Sequence, residues 1–235
     1  IELKKKVDDF LKAHNASVQV RQGYGLTECV TASCLTPKDY NRVGSIGVPF
    51  PDTYYKIVKP GTTQELDANL EGEICVSGPS VMLEYVDNPE ETHNTLRRHE
   101  DGRIWLHTGD LATMDTEGYV TVRGRSKNML LTASGQNIYP EEIESKLNNM
   151  PYVSESLIVL QKDKLVALIY PDFDDAFAHG MEQSDIEKVM EDNRNELNLQ
   201  LPAYSQITKV KIHFEEFEKT AKKSIKRFMY QEVKG

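Results

Sequence analysis

From residue 53 to residue 122 one pattern recurs: four or five residues rich in β-branched and aromatic side chains, then a turn built on glycine. The runs are 54–58, 72–76, 103–106 and 119–123, and the turns are Pro60-Gly61, Glu71-Gly72, Asp101-Gly102 and Glu117-Gly118. Short strands with regular turn signals confine this stretch to an antiparallel sheet or a small barrel. Asn88-Pro89-Glu90-Glu91-Thr92 opens a helix that interrupts it.

The flanks read differently. Residues 1–14 form an amphipathic helix with Leu3, Val7, Phe10 and Leu11 on one face. Val18-Gln19-Val20 is a short strand entering the turn Gly23-Tyr24-Gly25, and 36–50 is loop, punctuated by Pro37, Gly44, Gly47 and Pro49. After Gly124 a strand at 129–131 leads to a helix start at Tyr139-Pro140-Glu141-Glu142, with acidic residues where the helix dipole favours them. Residues 156–160 and 165–170 pair across Lys162-Asp163, 183–198 is helical, and 207–214 is a last strand. The fold class is α+β, with a domain boundary between Gly124 and Lys127.

The chain has 235 residues, 39% hydrophobic and 28% charged, enough apolar material for a core. A formal charge of -9 argues against a nucleic-acid partner. No apolar run reaches the length of a transmembrane helix, and no signal peptide opens the chain. Cys29, Cys34 and Cys75 are odd in number and lack framework spacing, which implies a reducing, cytoplasmic setting. Cys29 and Cys34 are spaced wrongly for Cys-x-x-Cys and read as small buried side chains.

Three blocks carry chemistry. Gly23-Tyr24-Gly25-Leu26-Thr27-Glu28 puts glycines, a hydroxyl and a carboxylate on one short turn. The glycines let backbone approach a ligand, Thr27 can meet a phosphate oxygen, and Glu28 is a hard oxygen ligand for Mg²⁺. Tyr24 offers a ring for stacking. In Leu106-His107-Thr108-Gly109-Asp110 the aspartate follows a strand and a tight turn, where it can accept two ribose hydroxyls. Gly124-Arg125-Ser126-Lys127-Asn128 supplies a planar cationic donor in Arg125.

In this order and spacing the blocks resemble the adenylate-forming superfamily, the acyl-CoA synthetases and ligases that activate carboxylates with ATP. The resemblance runs from about Val18 onward and is stronger toward fatty-acid members than acetate ones, through 71–83 and 88–92. It implies that 1–124 ends a large AMP-binding domain, with a barrel-like β subdomain at about 36–123. Residues 125–235 would be the small mobile C-terminal domain. It places Gly23, Tyr24, Gly25 and Thr27 at the adenylate, with Glu28 on magnesium, Asp110 on ribose, and Arg125 on ribose or phosphate. Lys127 becomes the hinge about which the small domain rotates, and Gly135, in the block Thr132-Ala133-Ser134-Gly135-Gln136, the glycine past which the pantetheine arm of CoA runs. Expected ligands are ATP or AMP, Mg²⁺ and coenzyme A, with a fatty acid as substrate; a homodimer is left open.

The C-terminal block departs from the pattern. The family has a glycine followed by a catalytic lysine; here Lys223 takes the glycine position and Ser224 the lysine position. Serine cannot supply a cation, so Lys223 is assigned the role after a one-residue shift, ahead of Lys222 and Lys226. The chain lacks an initiator Met, opens in mid-helix and has no upstream phosphate-gripping loop, so it reads as the C-terminal part of a longer acid–thiol ligase, inactive alone. The alternatives are a ligase or adenylation domain loading a carrier protein, and a catalytically weakened adenylate-binding homologue.

Overall fold

The computed structural model describes residues 2–30, 32–132, 135–221 and 223–231. The chain divides into two compact units, Ile1–Lys127 and Asn128–Gly235.

In the first unit, helix α1 (Glu2–Ala13) precedes three two-residue strands, β1 (Gly23–Tyr24), β2 (Cys34–Leu35) and β3 (Val48–Pro49), which form an antiparallel sheet in that order. A second sheet contains β4 (Tyr54–Val58), β5 (Glu71–Ser77), β6 (Leu96–Arg98), β7 (Ile104–Met114) and β8 (Val120–Arg125). Its order is β4-β5-β7-β6; one half of the long β7 pairs with β6 and the other half with β8. Helix α2 (Pro89–Thr95) leads into β6, its first turn capped by the Asn88 side chain accepting from the Glu91 N–H.

Alternation along these strands divides the side chains between two faces. Tyr55, Ile57, Ile74, Val76, Leu106 and Ala112 pack with Cys29, Cys34 and Val120. The other face holds Val58, Cys75 and Trp105, and with them the buried polar groups Lys56, Glu73 and His107. The repeated strand-and-turn pattern therefore gives an antiparallel sheet; among the described residues it stays open and closes no barrel.

Two expectations shift. Val18-Gln19-Val20 is not a strand. Its backbone is held by side chains instead, Val20 donating to Asp8 and accepting from Asn41. The strand at 103–106 runs on to Met114, so Asp110 lies inside β7 rather than after it.

The second unit starts with a small hairpin, β9 (Leu130–Leu131) with β10 (Asn137–Ile138), then α3 (Pro140–Leu147). Strands β11 (Val153–Gln161) and β12 (Lys164–Pro171) form an antiparallel pair. Their turn residues Lys162 and Asp163 both have positive φ, 48° and 59°, as a two-residue hairpin that follows the strand twist requires. Helices α4 (Phe173–Ala178) and α5 (Gln183–Asn198) then return the chain to β13 (Lys209–Ile212), parallel to β12. Ile143, Leu147, Ile158, Ile169, Ile186, Met190 and Leu197 form the main core; Leu157, Val159, Leu168 and Phe217 form a second cluster.

Candidate functional site

The site begins where the first unit brings β1 beside β7 and β8. A Cβ on Gly23 would sit 3.0 Å from the Cys34 carbonyl oxygen, a tight approach of β1 to β2 that the missing side chain eases. Next to it, the Tyr24 hydroxyl donates to Asp110 Oδ2 at 2.5 Å, and Arg125 Nε reaches Asp110 Oδ1 at 2.8 Å. Asp110 is only 5% exposed, whereas the Arg125 side chain stays half in solvent. Burial, then the charge and hydrogen bond of Asp110, raise Tyr24 above the ordinary phenol range, so it remains a donor.

Asp110 is aimed by a bulge. Glu73 pairs with Leu111 and Cys75 with His107, so β7 spends four steps where β5 spends two. Gly109 sits in the bulge at φ +72°. Glu73 fastens it from below: Oε1 accepts the Gly109 N–H at 2.9 Å and Oε2 lies 2.9 Å from His107 Nδ1. Thr108 donates to the Ile74 carbonyl and accepts the Asp110 N–H, at 2.9 and 3.1 Å. Burial works to raise Glu73, but the His107 and Gly109 hydrogen bonds prevail and hold it below the ordinary range. His99 Nε2 faces His107 Nε2 at 2.9 Å, and burial with the Lys56 cation pushes His99 down to about 4.

Gly25 follows β1, and Thr27 and Glu28 lie on a single 3₁₀ turn, Thr27–Cys29, anchored by the fully buried Cys29. Thr27 is exposed. The Tyr85 hydroxyl donates to Glu28 Oε1 at 2.8 Å, and the Met82 N–H to the Glu28 carbonyl at 2.8 Å. Burial, then the bond to Glu28, raise Tyr85 above the phenol range. A carboxylate beside a hydroxyl is a hard-oxygen set and suits Mg²⁺. Sequence reasoning missed Tyr85 and Glu73, because both act through pairings 57 and 34 residues distant in the chain.

Lys127 is exposed on a 3₁₀ turn, Ser126–Asn128, at the junction of the two units. In the second unit Gly135 has φ +78° at the β9–β10 turn, and a Cβ there would meet nothing within 4 Å among the described residues. Ala133 and Ser134 of that block, and Lys222, lie outside the described residues. Lys223 sits in a tight turn at φ +61°, its N–H on the Thr220 carbonyl while Thr220 bonds back to Ser224. A left-handed residue is what a glycine position demands, in keeping with the alignment of Lys223 to the family's glycine. Lys219 pairs with Glu155 and Glu216, Lys226 with Glu218, and Arg227 with Glu144. Lys223 is exposed, and among the described residues its ammonium has no partner.

Two family models match, one described as AMP-binding enzyme over residues 2–86, the other as AMP-binding enzyme C-terminal domain over 127–232. The long-chain-fatty-acid–CoA ligase of Escherichia coli O6:H1 is 42% identical over 135 residues, 57% of this chain and 23% of that protein. The fatty acid–[acyl-carrier-protein] ligase ScoC of Streptomyces coeruleorubidus is 40% identical over 148 residues, 61% of this chain and 27% of that protein. Among solved structures, O-succinylbenzoate coenzyme A synthetase (MenE) from Bacillus subtilis, in complex with ATP and magnesium, superposes with a TM-score of 0.74 at 25% identity. That match covers 95% of this chain and 43% of the other. The chain thus spans under a third of the curated relatives it matches.

Proposed function

We propose that this chain, which belongs to the adenylate-forming AMP-binding enzyme family, carries the nucleotide-handling and C-terminal portion of an ATP-dependent fatty acyl-CoA ligase. The observation that carries this is the Tyr24–Asp110–Arg125 cluster, built on a bulge and followed from Gly25 by the hard-oxygen pair Thr27 and Glu28. The buried, oriented Asp110 carboxylate accepts ribose hydroxyls, and Arg125 adds a planar donor on the ribose or phosphate side. Thr27 binds a phosphate oxygen, and Glu28, steadied by Tyr85, is the residue that would hold Mg²⁺. The ion, when bound, neutralises phosphate charge.

The reaction has two steps. A fatty carboxylate attacks the α-phosphate of ATP, giving acyl-AMP and releasing pyrophosphate; the CoA thiol then attacks the acyl carbon and releases AMP. Neither step needs a protein nucleophile, so catalysis rests on positioning and charge stabilisation. Lys223 is assigned the cation that meets charge developing between carboxylate and phosphate in the first step. We assign 1–124 and 125–235 as the functional domains, with Lys127 as the hinge, Gly135 beside the CoA arm, and a cytoplasmic setting. Among the described residues no helix is long and apolar enough to cross a membrane.

The similarity to a carrier-protein ligase favours one second reading, a carrier thiol in place of CoA. AMP release by the full-length protein with ATP, Mg²⁺ and fatty acids of increasing length separates the two. CoA-dependent AMP release supports the CoA ligase; turnover only with an added carrier protein supports the other; no reaction with any acid overturns both.

A further inference from the structure

The face of the second sheet that carries Glu73 also gathers three donors that the adenylation reading leaves unused. Cys75 on β5 pairs directly with His107 on β7, and His99 lies on the tight turn between β6 and β7. All three are buried, at 0%, 7% and 5% exposure, and each offers a ligand atom within 4.8 Å of the other two. We propose that Cys75, His99 and His107 form a binding site for one divalent cation of the zinc class.

The donor set is one thiolate and two imidazoles, which suits a borderline-soft ion and not the hard ion expected at Glu28. The second shell of His107 is already in place. His107 Nδ1 lies on the Glu73 carboxylate, so its Nε2 presents a lone pair, the arrangement in which a carboxylate orients a metal-binding histidine. His99 supplies an independent sign. Its Nδ1 is buried without a hydrogen-bond partner among the described residues, and its Nε2 faces the His107 lone pair. With the proton on Nε2, a buried lone pair on Nδ1 goes unused; with the proton on Nδ1, two lone pairs oppose each other. A cation between the two Nε2 atoms removes the second conflict. Tetrahedral ligation requires those atoms about 3.3 Å apart; they stand at 2.9 Å, so a shift of a few tenths of an ångström admits the ion.

The charges nearby are mixed. Lys56 is held by Asp101 and the Trp105 ring, Arg97 lies within electrostatic range, and Glu73 carries the opposite sign. On binding, the Cys75 thiol proton leaves to solvent. Entry is through the His99 turn, where Arg98, Glu100 and Asp101 are exposed. A fourth coordination position is left for water. The bound ion would tie β5, β7 and the β6–β7 turn together beneath the bulge that aims Asp110.

Co²⁺ titrated into the metal-stripped chain tests this, read by visible absorption, alongside thermal unfolding with and without Zn²⁺. The expected result is one Co²⁺ per chain with tetrahedral bands and a thiolate-to-metal transition. Affinity should weaken more than tenfold in Cys75→Ala and in His99→Asn, and be kept in the double variant Cys29→Ala, Cys34→Ala. Zn²⁺ should raise Tm in the parent and not in His99→Asn. Absence of the thiolate transition, its survival in His99→Asn, or its loss in a Cys29/Cys34 variant that folds by circular dichroism would overturn the site. If Cys75→Ala does not fold by circular dichroism, His99→Asn decides alone, since its backbone lies in a surface turn.

Discussion

At the scale of single residues, Lys223 and Ser224 present the sharpest question. A lysine held at φ +61° bears backbone strain that a glycine would not. Replacing Lys223 by Gly relieves about 1–2 kcal/mol of left-handed strain and costs about 0.5–1 kcal/mol in chain entropy, so the turn should gain up to about 1 kcal/mol in urea unfolding. In the full-length protein the same change should lower ATP–pyrophosphate exchange by roughly 10²–10³-fold, the usual cost of one charge-stabilising donor. Exchange unchanged in Lys223→Gly would remove Lys223 from the chemistry; the double variant Lys223→Gly, Ser224→Lys restores the family order and should recover the exchange. Asp110 is a second case. Asp110→Asn keeps the shape but removes the charge that Tyr24 and Arg125 address, so AMP affinity of the full-length protein, by calorimetry, should fall by about tenfold or more.

At the scale of elements, the bulge in β7 is the part that makes the site. A Cβ added to Gly109, at φ +72°, would meet nothing within 4 Å among the described residues, so Gly109→Ala tests conformation alone. It should cost about 1–2 kcal/mol in urea unfolding and weaken nucleotide binding with it. Helix α1 carries a pH signature. The Lys4 hydrogen bond, then the Val20 N–H, hold Asp8 below its ordinary 3.8, so its stabilisation is present above that value. It is lost as pH falls through the lower, folded value. The acid limb of a urea-midpoint profile should therefore be steeper in the parent than in Asp8→Asn. The elements also show what the sequence could reveal. The runs near 54–58 and 72–76 were legible because alternation and glycine turns are local signals. The Lys162-Asp163 turn and α5 were legible for the same reason. The bulge, Tyr85, Glu73 and the pairing of Cys75 with His107 were not, because each depends on register between distant strands. Asp110 could be picked out by its motif while its place inside a strand could not.

At the scale of the whole molecule, each unit has its own core, so damage should stay where it is made. Ile169 is fully buried in the second unit. Ile169→Ala should cost about 2–5 kcal/mol and lower one calorimetric transition while leaving the other in place; a single transition shifted as a whole would show that the units unfold together. The parallel pairing of β12 with β13 bears on how the protein is made. The β11–β12 hairpin closes over two residues, but β13 must wait for the whole of α4 and α5 to be synthesised and wound. Local pairs form early and non-local ones late. During that interval the apolar edge of β12, Leu165 to Ile169, is a naked template for any strand that passes, including the same strand of a neighbouring nascent chain. The segment after α5 therefore acts as the strip that seals this edge, and a ribosome that stalls before it releases a protein primed to aggregate.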